Sequence, residues 1–242
     1  MASRKELDFP RAGSKLVVSV DVVILSRQSG GLSVLLSRPP RGSERWELPY
    51  DIARPGKSLV KSARRTVRGM IGSKASPGLE QTGVFDSGRH PSESSLSVTF
   101  LGLVPGGSGS KAGENARWFK VGSLPSLASR QLAMVSGAAD TLRDRLGNAP
   151  VAFQLVPRSF TLSDLQAVYE MILGQPLHKA SFRRTLDAAG IVKPLKEWRI
   201  EGRGRPAQLY RYKPRKRRTR RHGIRFDMPP VTDKGGSRGQ SR

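Results

Sequence analysis

Residues 161–190, "TLSDLQAVYEMILGQPLHKASFRRTLDAAG", constrain the fold more than any other stretch. Thr161, with Asp164 three positions later, reads as a capping-box-like helix start. Leu162, Leu165, Val168, Tyr169 and Ile172 then recur on one face until Gly174 stops the pattern. A second helix follows the "QPLH" turn, with Phe182, Leu186 and Ala189 facing inward and Gly190 as its stop. Each helix has a single apolar stripe, so the two must cover each other, which makes a helix-turn-helix unit. Next comes "EWRIEGRGRPAQLYRY", two strand-like runs around a basic, glycine-rich loop. Helix, turn, helix and basic hairpin together predict a winged helix over residues 151–213.

The preceding residues have a different pattern. "LVVSVDVVIL" (16–25) and "LSVLLSR" (32–38) are β-branched and leucine-rich runs joined through Gly30-Gly31, a hairpin signature. A helix is predicted from Ser58, a plausible N-cap residue, to Met70. Residues 95–105 and 116–121 read as strands around the Gly/Ser loop 106–115. A last helix would place Leu132, Val135, Ala139, Leu142 and Leu146 at helical spacing. This mixture predicts an α/β or α+β domain over residues 15–150, preceded by a flexible arm (1–14). Residues 214–242 have almost no apolar side chains to offset the entropy of ordering and read as a basic disordered tail.

Charge narrows the function. The chain has 43 Lys and Arg against 19 Asp and Glu, a formal +24 over 242 residues. That field favours a polyanionic partner, nucleic acid first. With no cysteine, disulfides, thiolate metal sites and a cysteine nucleophile are excluded, and three scattered histidines argue against a metal cluster. The apolar run at 16–25 is too short to span a membrane and carries Asp21. With no signal-peptide pattern at the N-terminus, a cytoplasmic, nucleoid-bound protein is expected.

A winged helix that reads DNA needs polar and cationic side chains at the start of its second helix. Lys179, Ser181, Arg183 and Arg184 stand there, around the inward Phe182. Arg183 or Arg184 can bond guanine O6 and N7 bidentately, while Lys179 and Ser181 suit phosphate or base-edge contacts. Arg203 and Arg205, spaced by glycine in the wing loop, suit a narrow minor groove.

These segments resemble a known family, the Nudix-related transcriptional regulators of NAD metabolism (NrtR family). The resemblance is strongest in "FTLSDLQAVYEMILGQPLHKASFRRTL" and "GRGRPAQLYRY". It continues in "WELPYD", "GRHPSESSLSVTFLGLVP" and "ENARWFKVGSLPSLASRQLA", and so runs from about Leu16 to Lys213. It implies an N-terminal Nudix-like α/β/α sandwich ahead of a C-terminal winged helix-turn-helix domain. Laying Arg65 on the Nudix arginine and Gly72 on the closing glycine puts Thr66, Gly69 and Met70 where the motif's three helix carboxylates belong. Lys57 then stands in place of the leading glutamate.

Those carboxylates hold magnesium against a pyrophosphate, so the resemblance implies a domain without metal, cofactor or hydrolase activity. It also implies a homodimeric repressor on a palindromic operator of double-stranded DNA, with ADP-ribose or another NAD-derived nucleotide as effector. Arg38, Arg65, Arg89 and Arg117 are the candidate phosphate contacts for that ligand. Two departures bear on the pocket: "WELPYD" lacks both glycines of the family's Leu-Pro-Gly-Gly, and "LASRQLA" replaces its Phe-Asp-His. The alternatives are an active Nudix pyrophosphohydrolase with unusual ligands and a non-specific nucleic-acid-binding protein.

Overall fold

The computed structural model describes residues 16–29, 31–39, 45–72, 77–107, 112–147, 150–200 and 205–214. Arg203 and nearly all of the tail lie outside these residues. The run of alternating apolar side chains near the N-terminus becomes the central strand β1 (Val18–Gln28), buried along most of its length. It pairs parallel with β5 (Leu96–Val104) on one edge. Its other edge is shared between two antiparallel partners: β2 (Gly31–Ser37) takes the C-terminal half and the short β3 (Tyr50–Ile52) the N-terminal half. Strands β4 (Leu79–Phe85) and β6 (Ala116–Lys120) close the order β4-β5-β1-β2-β6.

Alternation on β1 sends side chains into two separate cores. Val20, Val22 and Ile24 meet Ala63 and Val67 of α1 (Leu59–Ile71) on one face. Val23 and Leu25 meet Met134, Val135, Ala138 and Leu142 of α2 (Ser129–Arg145) on the other. The N-terminal domain is therefore the expected α/β/α sandwich. Ser58 stands at the N-cap of α1, although its side chain makes no capping bond.

The inward face of α2 differs from the expected one. Leu132 is 48% exposed, whereas Arg130 and Gln131 are buried. Gln131 explains its own burial: its side-chain amide accepts from Leu48 N–H (3.1 Å) and donates to Leu48 C=O (3.4 Å), pinning the "WELP" segment to the helix. Arg130 is satisfied by main-chain carbonyls. Its guanidinium donates to Asp86, Ser87, Gly88 and Ser94 oxygens at 2.7–3.1 Å, holding the β4–β5 loop closed. Gly88 in that loop has φ +82°, and a Cβ there would come within 2.9 Å of Ser129 Oγ. Any other residue would push the loop off α2.

The second core does not stop at α2. It continues through a 3-10 turn (Val151–Gln154), Leu155, Val156 and Phe160 into α3 (Leu162–Leu173) and α4 (Lys179–Ala189). Thr161 and Asp164 form the full reciprocal capping box, and Gly174 and Gly190 end the two helices in the left-handed conformation. Tyr169 of α3 packs edge-on against Phe182 of α4, ring centres 5.4 Å apart. The hairpin β7 (Val192–Arg199) and β8 (Ala207–Tyr212) starts earlier than "EWRI" suggests and carries a bulge between Pro194 and Trp198. Phe160 bridges Tyr210 on the outer edge of β8.

Candidate nucleic-acid interface

Helix α4 has one inward stripe, Phe182 and Leu186, and this forces its other residues outward. Lys179, Ser181, Arg183 and Arg184 are all exposed. Thr185 bonds back to the Ser181 carbonyl at 2.9 Å, and His178 Nδ1 lies 3.2 Å from Ser181 Oγ at the helix start. The first two turns of α4 thus present three cations and a hydroxyl with no acidic neighbour until the exposed Asp187. Such a surface can bond phosphate oxygens and guanine edges, with Asp187 the one acid on its helix. Arg205, at the root of the wing, is exposed as well, while Arg203 falls outside the described residues.

Sequence reasoning overlooked the joint that fixes this reading head to the sandwich. Asp164 accepts from Thr161 N–H and from its hydroxyl, both at 2.9 Å. The same carboxylate takes Arg199 of β7 at 2.5 Å and faces Arg27 of β1 at 3.8 Å. Burial pushes the Asp164 carboxyl up, but the Thr161 bonds and the Arg199 guanidinium outweigh it and hold the group below the usual carboxylate range. One side chain therefore ties together the start of α3, the wing strand and the central strand of the other domain. A cleft of about 430 Å³ opens beside it, lined by Arg27, Gln28, Gly106, Leu155, Asp164 and Arg199 among others. Gly106 can have no side chain here, because a Cβ would stand 1.9 Å from the Arg27 carbonyl oxygen. The only sequence signal at the joint is Asp164's place in the capping box, since Arg27 and Arg199 are remote from it along the chain.

The four candidate effector arginines divide into separate contacts. Arg38 lies over the Trp46 ring at 4.4 Å and Arg117 over Phe119 at 5.6 Å, with Trp46 and Phe119 in edge contact at 4.8 Å. Two of the four are thus brought together through an aromatic pair at the β2–β6 edge. Arg65 is ion-paired with Asp51, the residue in place of the second family glycine. Burial pushes the Asp51 carboxyl up, but Arg65 prevails and holds it below the usual range. Arg89 is exposed and held through its main chain: its N–H donates to Ser129 Oγ (2.9 Å) and its carbonyl accepts from Arg130 N–H (3.1 Å).

A buried polar chain lies behind Arg89. His90 Nδ1 accepts from Ser92 N–H at 3.1 Å, so its Nε2 donates to Asp21 Oδ1 at 2.9 Å; Ser19 bonds the other Asp21 oxygen at 2.7 Å. Tyr50, in place of the first family glycine, packs edge-on to His90 at 4.9 Å, and burial together with Glu47 and Asp21 pushes its phenol up.

The divalent metal that the Nudix motif's carboxylates would hold does not fit α1. Hard cations need oxygen ligands. Helix α1 has no acidic residue; Lys57 just before it and Lys61, Arg64 and Arg68 along it are exposed, Thr66 is turned back onto the Ser62 carbonyl at 3.2 Å, and Gly69 and Met70 offer no oxygen ligand in their side chains. Among the described residues, no helix is long and apolar enough to cross a membrane.

Known proteins match both halves. Residues 152–212 match the family model described as the NrtR DNA-binding winged helix domain. A protein of Acinetobacter baylyi, described as an ADPR responsive transcriptional repressor, NtrR, is 29% identical over 223 residues, 88% of this chain and 86% of that one. The crystal structure of Shewanella oneidensis NrtR complexed with a 27mer DNA aligns with TM-score 0.69 and 25% identity, covering 81% of this chain and 93% of that one. A MutT/nudix family protein from Enterococcus faecalis, 20% identical, shares the fold with TM-score 0.63 over 86% of this chain and 90% of that one. Residues 152–212 carry the NrtR DNA-binding winged helix domain, and the chain as a whole shares the fold of that MutT/nudix family protein.

Proposed function

We propose that the chain is a DNA-binding transcriptional repressor of NAD biosynthesis or salvage genes, acting as a homodimer on a two-fold symmetric operator. The exposed cationic face of α4, set on an NrtR-type winged helix, is the observation that carries this reading. The Acinetobacter relative's description as a repressor and the DNA-bound state of the Shewanella protein support it. Arg183 and Arg184 read bases, Lys179 and Ser181 fix the register on phosphate, and Arg203 and Arg205 enter the adjacent minor groove.

The Nudix-like domain senses rather than cleaves. In the register set by Arg65 and Gly72, the positions of the catalytic carboxylates hold Lys57, Thr66, Gly69 and Met70. A domain with a cationic helix in that place binds an ADP-ribose-like diphosphate without metal, through arginines drawn from Arg38, Arg65, Arg89 and Arg117. Such a ligand releases DNA only by preferring the DNA-free arrangement, and DNA must weaken the ligand by the same factor. Calorimetry with ADP-ribose, with and without operator, tests the linkage. Equal ligand affinity in both titrations refutes it, and magnesium-dependent release of AMP from ADP-ribose by the pure chain refutes the silent domain.

A further inference from the structure

We infer that the wing carries an apolar wedge, Trp198 with Ile200, that presses onto the sugar and base surface of the duplex; this deepens the DNA-binding reading and rests on it. Among the described residues few large apolar side chains are strongly exposed, and two of them, Trp198 at 60% and Ile200 at 68%, stand two positions apart at the end of β7. Between them Arg199 turns to Asp164. Strand alternation therefore sends Trp198 away from the joint, and Ile200, just past the end of the strand, is exposed beside it.

The core does not need them: the hairpin is anchored by Val192 and Tyr210 against the shared core and by Phe153 on Tyr212 at 4.5 Å. An indole left in water by its own fold costs solubility and marks a contact surface. The surroundings identify the partner. Among the described residues of the same hairpin, Lys193, Lys196, Arg205 and Arg211 are exposed against one acid, Glu197, and the sequence of the loop adds Glu201 and Arg203, which offset each other. Cations around an exposed apolar pair match a polyanion with an apolar interior face. A stable contact between protein copies needs about 800 Å² from each partner, more than two side chains at a hairpin tip provide. Apolar wedges beside cations are a recurrent means of gripping a groove and opening a base step.

The test uses the full chain and a duplex selected on it from a random library, beside a scrambled duplex of equal length. Trp198→Ala should weaken the selected duplex about tenfold or more, while Trp198→Phe stays close to wild type. The salt dependence should keep its slope in Trp198→Ala, since an apolar contact releases no counterion, whereas Arg205→Ala should flatten it by about one ion. The emission difference between wild type and Trp198→Phe should fall on adding duplex and become shielded from acrylamide. Ile200→Ser serves as the second variant if Trp198→Ala misfolds.

Unchanged affinity in these variants overturns the wedge while leaving DNA binding intact. A shift in sedimentation of Trp198→Ala overturns it in favour of a contact between copies. A wild-type chain that binds no duplex takes down both the wedge and the reading beneath it.

Discussion

Replacing Asp164 should loosen the reading head more than any exposed substitution, and the contacts set the size of the effect. Asp164→Ala removes a capping box, worth about 1 kcal/mol. It removes a charge-assisted bond to Arg199, worth about 1.5 to 3 kcal/mol. The longer contact with the half-exposed Arg27 adds about 0.5 kcal/mol or less. Together the loss is about 2.5 to 4.5 kcal/mol. For a chain of this length each kcal/mol moves the midpoint by about 2 to 4 °C, so thermal unfolding should shift down by roughly 5 to 18 °C. A double-mutant cycle isolates the pair: Asp164 with Arg199 should couple by well over 1 kcal/mol and Asp164 with Arg27 by only a few tenths. Additive behaviour of the Asp164 and Arg199 variants, or a shift of only about a degree in Asp164→Ala, would refute the joint.

Other outcomes follow from the same contacts. Because the Asp164 carboxyl is held below its unfolded-state range, its stabilisation is present above that range and lost as pH falls through it. Melting temperature followed from neutral pH into acid should fall more steeply for wild type than for Asp164→Asn. Arg183→Ala or Arg184→Ala should cost about 1 to 3 kcal/mol on the selected duplex and relax its base preference, measured by competition. Phe182→Ala, which empties the contact with Tyr169, should destabilise the fold by about 3 to 5 kcal/mol in denaturant unfolding. Truncation after Lys213 should weaken all duplexes alike and flatten the salt slope, read from binding at several ionic strengths.

Local signals made the reading head legible. Thr161, Asp164, Gly174 and Gly190 each act within a turn of their own position, so caps and stops were readable without knowledge of the rest of the chain. The inward face of α2 was not, because periodicity assumes that charged and polar residues face out. Arg130 and Gln131 violate this, and the carbonyls that satisfy them come from loops some 36 to 83 positions away. Strand β4 escaped notice for a related reason: "LEQTGVF" is an edge strand with no fully buried residue and a register shift between Gln81 and Gly83, so its alternation is weak. Among the candidate effector arginines, charge marked Arg65 but could not show that Asp51 already holds it. The wing's exposed indole was hidden by its place in "EWRI", where an aromatic residue reads as strand core.

Selection of bound sequences from a random duplex library by the pure full-length chain, followed by titration of the winner and a scrambled duplex at one fixed salt concentration, bears most directly on the central claim. The account predicts a two-fold symmetric winner bound about a thousandfold or more tighter than its scramble. Selection that enriches nothing, with both duplexes bound alike, would contradict it.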